Sequence, residues 1–243
     1  MATNTQSSTR RTRRGLDRAA VIRAAAAMLD EAPGSDMTLT SLALALGVRT
    51  PSLYNHIDGQ EGLRRGLALL GVQELGEQLG RAAIGKAGAD ALYAVADAYR
   101  AFALRRPGLY LSTIRAPDAD DVELLAASDD VLEVLRLALD PFGLTDDEQI
   151  HAIRGLRSIA HGFVSIELGG GFGLPIDLDT SYQRLVGAFV DGLAARQRSK
   201  SATSAGSISS MSEISAGTPS GKLSQPKRNR ILRASPSDGC SSQ

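Results

Sequence analysis

Residues 38–63 read TLTSLALALGVRTPSLYNHIDGQEGL. Leu39, Leu42, Ala43 and Leu46 recur at the spacing of one buried helix face, and Thr38 is a good N-cap for that helix. Gly47 supplies the freedom a sharp turn needs, and Val48 is an apolar plug. Thr50-Pro51-Ser52 opens a second helix, because proline is tolerated where an N–H would be unpaired anyway. So few residues separate the two helices that they must cross steeply. The second then presents an outer face with Thr50, Ser52, Asn55 and His56, groups that hydrogen-bond to base edges and phosphates.

The order Thr38, Leu42-Ala43, Leu46-Gly47-Val48, Ser52-Leu53-Tyr54, His56-Ile57, Glu61 and Leu63 resembles the helix-turn-helix of tetracycline-repressor-type (TetR) transcriptional regulators. Pro51-Ser52-Leu53-Tyr54 is especially close. The resemblance implies an all-α fold: an N-terminal three-helix bundle with the helix-turn-helix, then a helical ligand-binding and dimerisation domain. It implies that Thr50, Pro51, Ser52 and Asn55 face the major groove, that Thr40 reaches a base, and that Thr38, Tyr54 and His56 contact phosphates, with Arg49 beside them. Gln60 stands where the family usually has a lysine, so the phosphate contact expected there is weaker. The family also implies a double-stranded operator, a homodimer formed by the helices at about 145–168 and 179–196, and a small-molecule effector. Ala160-His161-Gly162-Phe163 followed by a glycine-rich loop resembles a subgroup of C-terminal domains with a Trp-His-Gly element, although Arg157 or Ser158 stands where the tryptophan belongs.

The zero formal net charge hides a partition. Residues 1–66 hold nine arginines against six acids, 67–197 hold eleven bases against nineteen acids, and 198–243 hold seven against two. A basic N-terminal part beside an acidic body lets one end approach a polyanion. Ahead of the first helix, Arg10, Arg11, Arg13 and Arg14 form a basic arm that can follow phosphates or enter the minor groove, with Arg13 and Arg14 nearest the head.

Composition favours helix throughout: alanine and leucine are abundant, aromatics are 4% and tryptophan is absent. The single cysteine, Cys240, leaves no internal disulfide and suits a reducing cytoplasm. With no apolar run of spanning length and no signal peptide, the expectation is a cytoplasmic protein without membrane partners. The periodicity divides the chain into a disordered basic arm (1–15), a DNA-binding domain (16–66), a helical body (67–197) and a disordered tail (198–243). Within the body, helices are expected at about 89–105, 109–114, from 118 to 139, 145–168 and 179–196. Thr145 and Glu148 form a capping box, and Asp118, Asp120 and Asp121 cap a first turn.

No enzymatic constellation is present in the sequence. His151 and His161 are ten residues apart, which on a helix turns them about 280° from one another, so they cannot share a metal. There is no HExxH, CxxC or Walker-type run, and the GGGFG stretch follows no strand. No metal or cofactor is expected. The candidate effector-pocket lining is the aromatic and polar set Tyr93, Phe102, Tyr110, His161 and Phe163. Two other classes compete with a regulator: a small-molecule enzyme, disfavoured by the missing constellation, and a helical protein-interaction module, which must treat the helix-turn-helix and the charge partition as coincidence.

Overall fold

The computed structural model describes residues 16–209, with side chains described as far as residue 200. Arg13 and Arg14 of the arm, and the tail beyond 209, lie outside the described residues. Every regular element among the described residues is helical, and none of the helices is long and apolar enough to cross a membrane.

Helix α1 (Arg18–Glu31) starts at Asp17, whose carboxylate accepts the Ala20 N–H at 2.7 Å. Helix α2 (Leu39–Leu46) begins with a reciprocal cap: Thr38 Oγ1 accepts the Ser41 N–H and Ser41 Oγ accepts the Thr38 N–H, each at 3.1 Å. Gly47 ends it in the left-handed region (φ +67°), and the Val48 N–H closes onto the Ala43 carbonyl at 3.0 Å. Helix α3 is a single turn, Thr50–Leu53, rather than a helix reaching His56. Both the His56 and Ile57 amides turn back onto the Leu53 carbonyl, at 2.9 and 3.0 Å, because burying Ile57 pulls the chain inward ahead of the Asp58-Gly59 turn. Helix α4 (Gly59–Ala83) leaves the head and runs on through the body. Val21, Ile22, Ala25 and Ala26 of α1 meet Leu42, Ala43, Leu53, Ile57, Leu63 and Leu67 in a shared core.

The body adds α5 (Gly88–Arg105), α6 (Pro107–Leu111), α7 (Val122–Leu139), a 3₁₀ turn at Asp140–Phe142, α8 (Asp146–Leu168) and α9 (Leu178–Ser209). Helix α6 starts and stops earlier than the spacing predicts: Pro107 opens its first turn, and the Thr113 hydroxyl donates to the Tyr110 carbonyl at 2.8 Å. Of the expected acid cap, Asp121 alone occupies the N-cap of α7, accepting the Leu124 N–H at 3.1 Å, while Asp118 and Asp120 precede the helix. The capping box of α8 forms between Thr145 and Glu148. Helix α9 continues past the expected end near residue 196, since no proline or glycine interrupts residues 193–205. The described residues up to Ser201 make one compact unit.

Three charged junctions fix the first unit. Arg65 of α4 donates to both Asp121 oxygens at 2.6 Å and to Glu123 at 2.7 Å, tying the start of α4 to the start of α7. Arg106 donates to Asp30 of α1 and Glu74 of α4, both at 2.6 Å. Arg100 of α5 reaches Glu167 through two bonds of 2.7 and 2.6 Å and Asp179 at 2.7 Å, closing the loop between α8 and α9.

Candidate nucleic-acid interface and body interior

The helix-turn-helix is built locally. The Thr38 cap fixes where α2 starts, and Gly47 fixes the angle at which the chain leaves it. Leu53 is fully buried and anchors α3, so the opposite side of that turn faces out. Pro51, Tyr54 and Asn55 are exposed there, and Thr50, Ser52 and His56 are half-buried. Tyr54 is 59% exposed although aromatic, and its ring edge lies against Gly59. Thr40 and Arg49 are exposed nearby. Thr38 also faces out, but its hydroxyl already serves the cap, interacting with Ser41. Gln60 is turned inward: its side-chain amide donates to the Met37 carbonyl at 2.9 Å, stapling the chain ahead of α2 to the first turn of α4. The described part of the head, residues 16–66, holds five arginines against six acids, so the basic excess of the N-terminal part lies entirely in the arm.

In the body the expected lining residues are divided among separate surroundings. Tyr110, fully buried on α6, is hydrogen-bonded through its hydroxyl to His161 Nδ1 on α8 and lies 3.2 Å from the Tyr99 hydroxyl. The Tyr99 and Tyr110 rings meet edge to face at 5.7 Å. Burial pushes both tyrosine hydroxyls above the ordinary phenol value, so both stay protonated, while the Arg157 guanidinium pulls the other way. Arg157 also donates to the Thr113 and Ile114 carbonyls at 3.3 and 3.2 Å.

Phe163 belongs to a second cluster, with Phe172 at 4.7 Å, Tyr182 at 5.1 Å and the Arg100 guanidinium 5.6 Å from its ring. Tyr182 is buried and donates to the Ala96 carbonyl at 2.7 Å. Phe102 is fully buried, and Tyr93 lies toward α9, beside Gly187. Thus Tyr110 and His161 come together, while Phe163 and Tyr93 have other neighbours. Tyr99 and Arg157 complete the polar cluster; Tyr99 falls on the apolar side of α5 in the sequence, with nothing local to mark its hydroxyl as paired.

A cleft of about 650 Å³ opens elsewhere, between Met37 in front of α2, Gln60 and Arg64 on α4, Leu111 at the end of α6, and Arg115 and Pro117 beyond it. None of the five expected lining residues borders it. Among the described residues no group of three histidine, cysteine or carboxylate side chains could hold a metal ion.

Residues 92–189 match the family model described as the tetracyclin repressor-like C-terminal domain. This segment runs from α5 into α9 and contains the Tyr99, Tyr110 and His161 cluster. Over 182 residues the chain is 32% identical to Rv0681 of Mycobacterium tuberculosis, named as an HTH-type transcriptional regulator, covering 74% of this chain and 83% of that one. It is 31% identical over 180 residues to YobS of Bacillus subtilis, which carries the same kind of name, covering 74% of this chain and 93% of that one. A TetR variant from Acinetobacter baumannii, solved in complex with minocycline, shares the fold at a TM-score of 0.61 and 20% identity, over 75% of this chain and 99% of that one. The chain therefore belongs to the TetR family of helix-turn-helix transcriptional regulators, DNA-binding proteins and not enzymes.

Proposed function

We propose that the protein binds a near-palindromic operator as a homodimer and is released from it by a small molecule bound in the body. The observation that carries the reading is the outer surface of the α2–Gly47–α3 unit, where Pro51, Tyr54 and Asn55 stand free of the core while Leu53 anchors the turn. In this reading Thr50, Pro51, Ser52 and Asn55 read the major groove, Thr40 reaches a base, and Arg49, Tyr54 and His56 take phosphates. Thr38 acts mainly as a cap, and Gln60 acts through its bond to Met37. The arm, with Arg13 and Arg14, supplies the electrostatic share that the acid-balanced head lacks.

Dimerisation through α8 and α9 is supported by a face of small side chains. Ser158, Gly162 and Ser165 on α8, and Ala188, Gly192 and Ala195 on α9, each fall at helical spacing. A Cβ added at Gly162 or Gly192 would meet nothing within 4 Å, so a second copy has room to approach closely. The effector is placed at the Tyr99, Tyr110, His161 and Arg157 cluster, where hydroxyl, imidazole and guanidinium groups converge inside an apolar body. A ligand preferring a body conformation with badly spaced heads lowers operator affinity by its differential binding.

The test is selection of bound duplexes from a random-sequence library, followed by fluorescence anisotropy at several salt concentrations. Saturable binding that falls steeply with salt is expected. Tyr54→Phe removes a charge-assisted hydrogen bond and weakens binding by about 1.5–3 kcal/mol on every selected sequence. Unchanged affinity in that variant rejects the Tyr54 contact, and an empty selection rejects DNA recognition by this head.

A further inference from the structure

Helix α6 spans only Pro107–Leu111, yet it is held at both of its ends by different parts of the molecule. At its start, one carboxylate oxygen of Asp30 accepts the Gly108 and Leu109 amides at 3.0 and 2.9 Å, and the other accepts Arg106 Nε at 2.6 Å. Asp30 sits in the last turn of α1, so this grip is on the DNA-binding head. The backbones touch there: a Cβ at Gly108 would lie 2.1 Å from the Leu29 carbonyl oxygen and 2.6 Å from the Asp30 nitrogen. Arg106 adds a second hold by reaching Glu74 of α4 at 2.6 Å. One residue past the Leu109 amide that Asp30 holds, Tyr110 turns into the body, to His161 and Tyr99.

A helix of this length is about 7.5 Å long and has no interior in which to absorb a displacement. Whatever shifts Tyr110 shifts Gly108 and Leu109 with it. Because the α6–α1 contact has no slack, a body-side displacement can be taken up in two ways: α1 follows, or the Asp30 bonds break. We propose that Asp30 is the positioning residue that makes α1 follow, so that rearrangement around Tyr110 and His161 reaches the DNA-binding head through the Gly108 and Leu109 amides. For its functional consequence the inference rests on the regulator reading above; its mechanical content does not.

The test uses the full-length protein and the variants Tyr110→Phe, Asp30→Ala, Asp30→Asn and their combinations with Tyr110→Phe. Amide hydrogen exchange is followed in residues 26–34 and 106–113. Tyr110→Phe keeps the ring and removes only the hydroxyl. In the wild-type background it should speed exchange about threefold or more in both segments. With Asp30→Ala it should still speed exchange in 106–113 and leave 26–34 unmoved. With Asp30→Asn, whose neutral oxygen holds the amides more weakly, the response at 26–34 should be present but smaller than in wild type. If the alanine variant does not fold, the wild-type and asparagine backgrounds decide between the outcomes. A response confined to 106–113 in the wild-type background overturns the proposal, as does a response at 26–34 that is equal with and without the Asp30 carboxylate. On a duplex obtained by selection, Tyr110→Phe should change affinity about fivefold or more only where Asp30 is intact. If selection yields no duplex, the regulator reading fails, while the exchange data still decide whether the latch exists.

Discussion

Replacing Gly108 by alanine tests the closest approach made at any described glycine. The added carbon would lie 2.1 and 2.2 Å from the carbonyl oxygen and carbon of Leu29 and 2.6 Å from the Asp30 nitrogen, all backbone atoms that cannot rotate away. Ordinary contact begins near 3.4 Å, so α6 and α1 must separate by about 1.3 Å. Such a separation stretches the Asp30 bonds to Gly108 and Leu109 from 3.0 and 2.9 Å to beyond 4 Å, about 1 Å past the hydrogen-bonding range. Overpacking alone costs about 1–3 kcal/mol, and each bond to a carboxylate contributes about 1.5–3 kcal/mol, part of which water restores at this half-buried junction. The expected loss is about 3–5 kcal/mol, or roughly 10 °C in Tm for a chain of this size. Urea denaturation followed by circular dichroism measures it. Gly80→Ala is the matched control. Its Cβ would meet Val134 at an ordinary 3.8 Å inside α4, and it should be neutral or stabilising by up to about 1 kcal/mol. A loss below about 1 kcal/mol in Gly108→Ala would refute the reasoning, because it would mean that α6 leaves α1 at little cost.

Three further outcomes are expected. Deleting residues 1–15 removes Arg10, Arg11, Arg13 and Arg14 and should lower the slope of log affinity against log salt by about 3.6 if all four neutralise phosphates; an unchanged slope shows an arm that only tails in solvent. Glu148 is held down to about 2 by Lys200 and by the Thr145 amide that it caps. Its folded value lies below the roughly 4.3 of an unfolded glutamate, so its contribution is present above that value and is lost as pH falls toward about 2. The Tm gap between wild type and Glu148→Gln should therefore shrink between about pH 5 and pH 3, and a constant gap contradicts the pairing. Arg100→Met strands Glu167, which is 13% exposed, and should cost about 3–5 kcal/mol in urea denaturation; a cost under about 1 kcal/mol shows that the stacking on Phe163 and Tyr182, which methionine partly keeps, was the larger part.

What was legible in the sequence is what is decided within a few residues. Thr38, Gly47 and Thr145 act on neighbours three or four positions away, so the start of α2, its left-handed end and the capping box of α8 could all be read from spacing. The candidate pocket depended on relations between helices. His161 and Phe163 are two apart on α8, a rotation of about 200°, so they point into different clusters although the sequence pairs them. Nothing near Gly108 in the sequence shows that Leu29 will press against it. Gln60 reads as a weakened phosphate ligand, yet it spans twenty-three residues of chain to reach Met37. Helix α3 stops early because Ile57 needs the core, a demand that the motif leaves unstated.

Helix α4 passes from the head into the body without a break, over 25 residues. At 1.5 Å per residue it is a rod of about 37 Å, comparable to the 34–36 Å between successive major grooves on one side of a duplex. Pivoting such a rod by about 5° at its body end carries the other end by about 3 Å. Arg65 and Arg106 grip this rod near its head end and near its middle, so the helix works as a lever: an ångström of side-chain movement at its body end is enlarged at its head end.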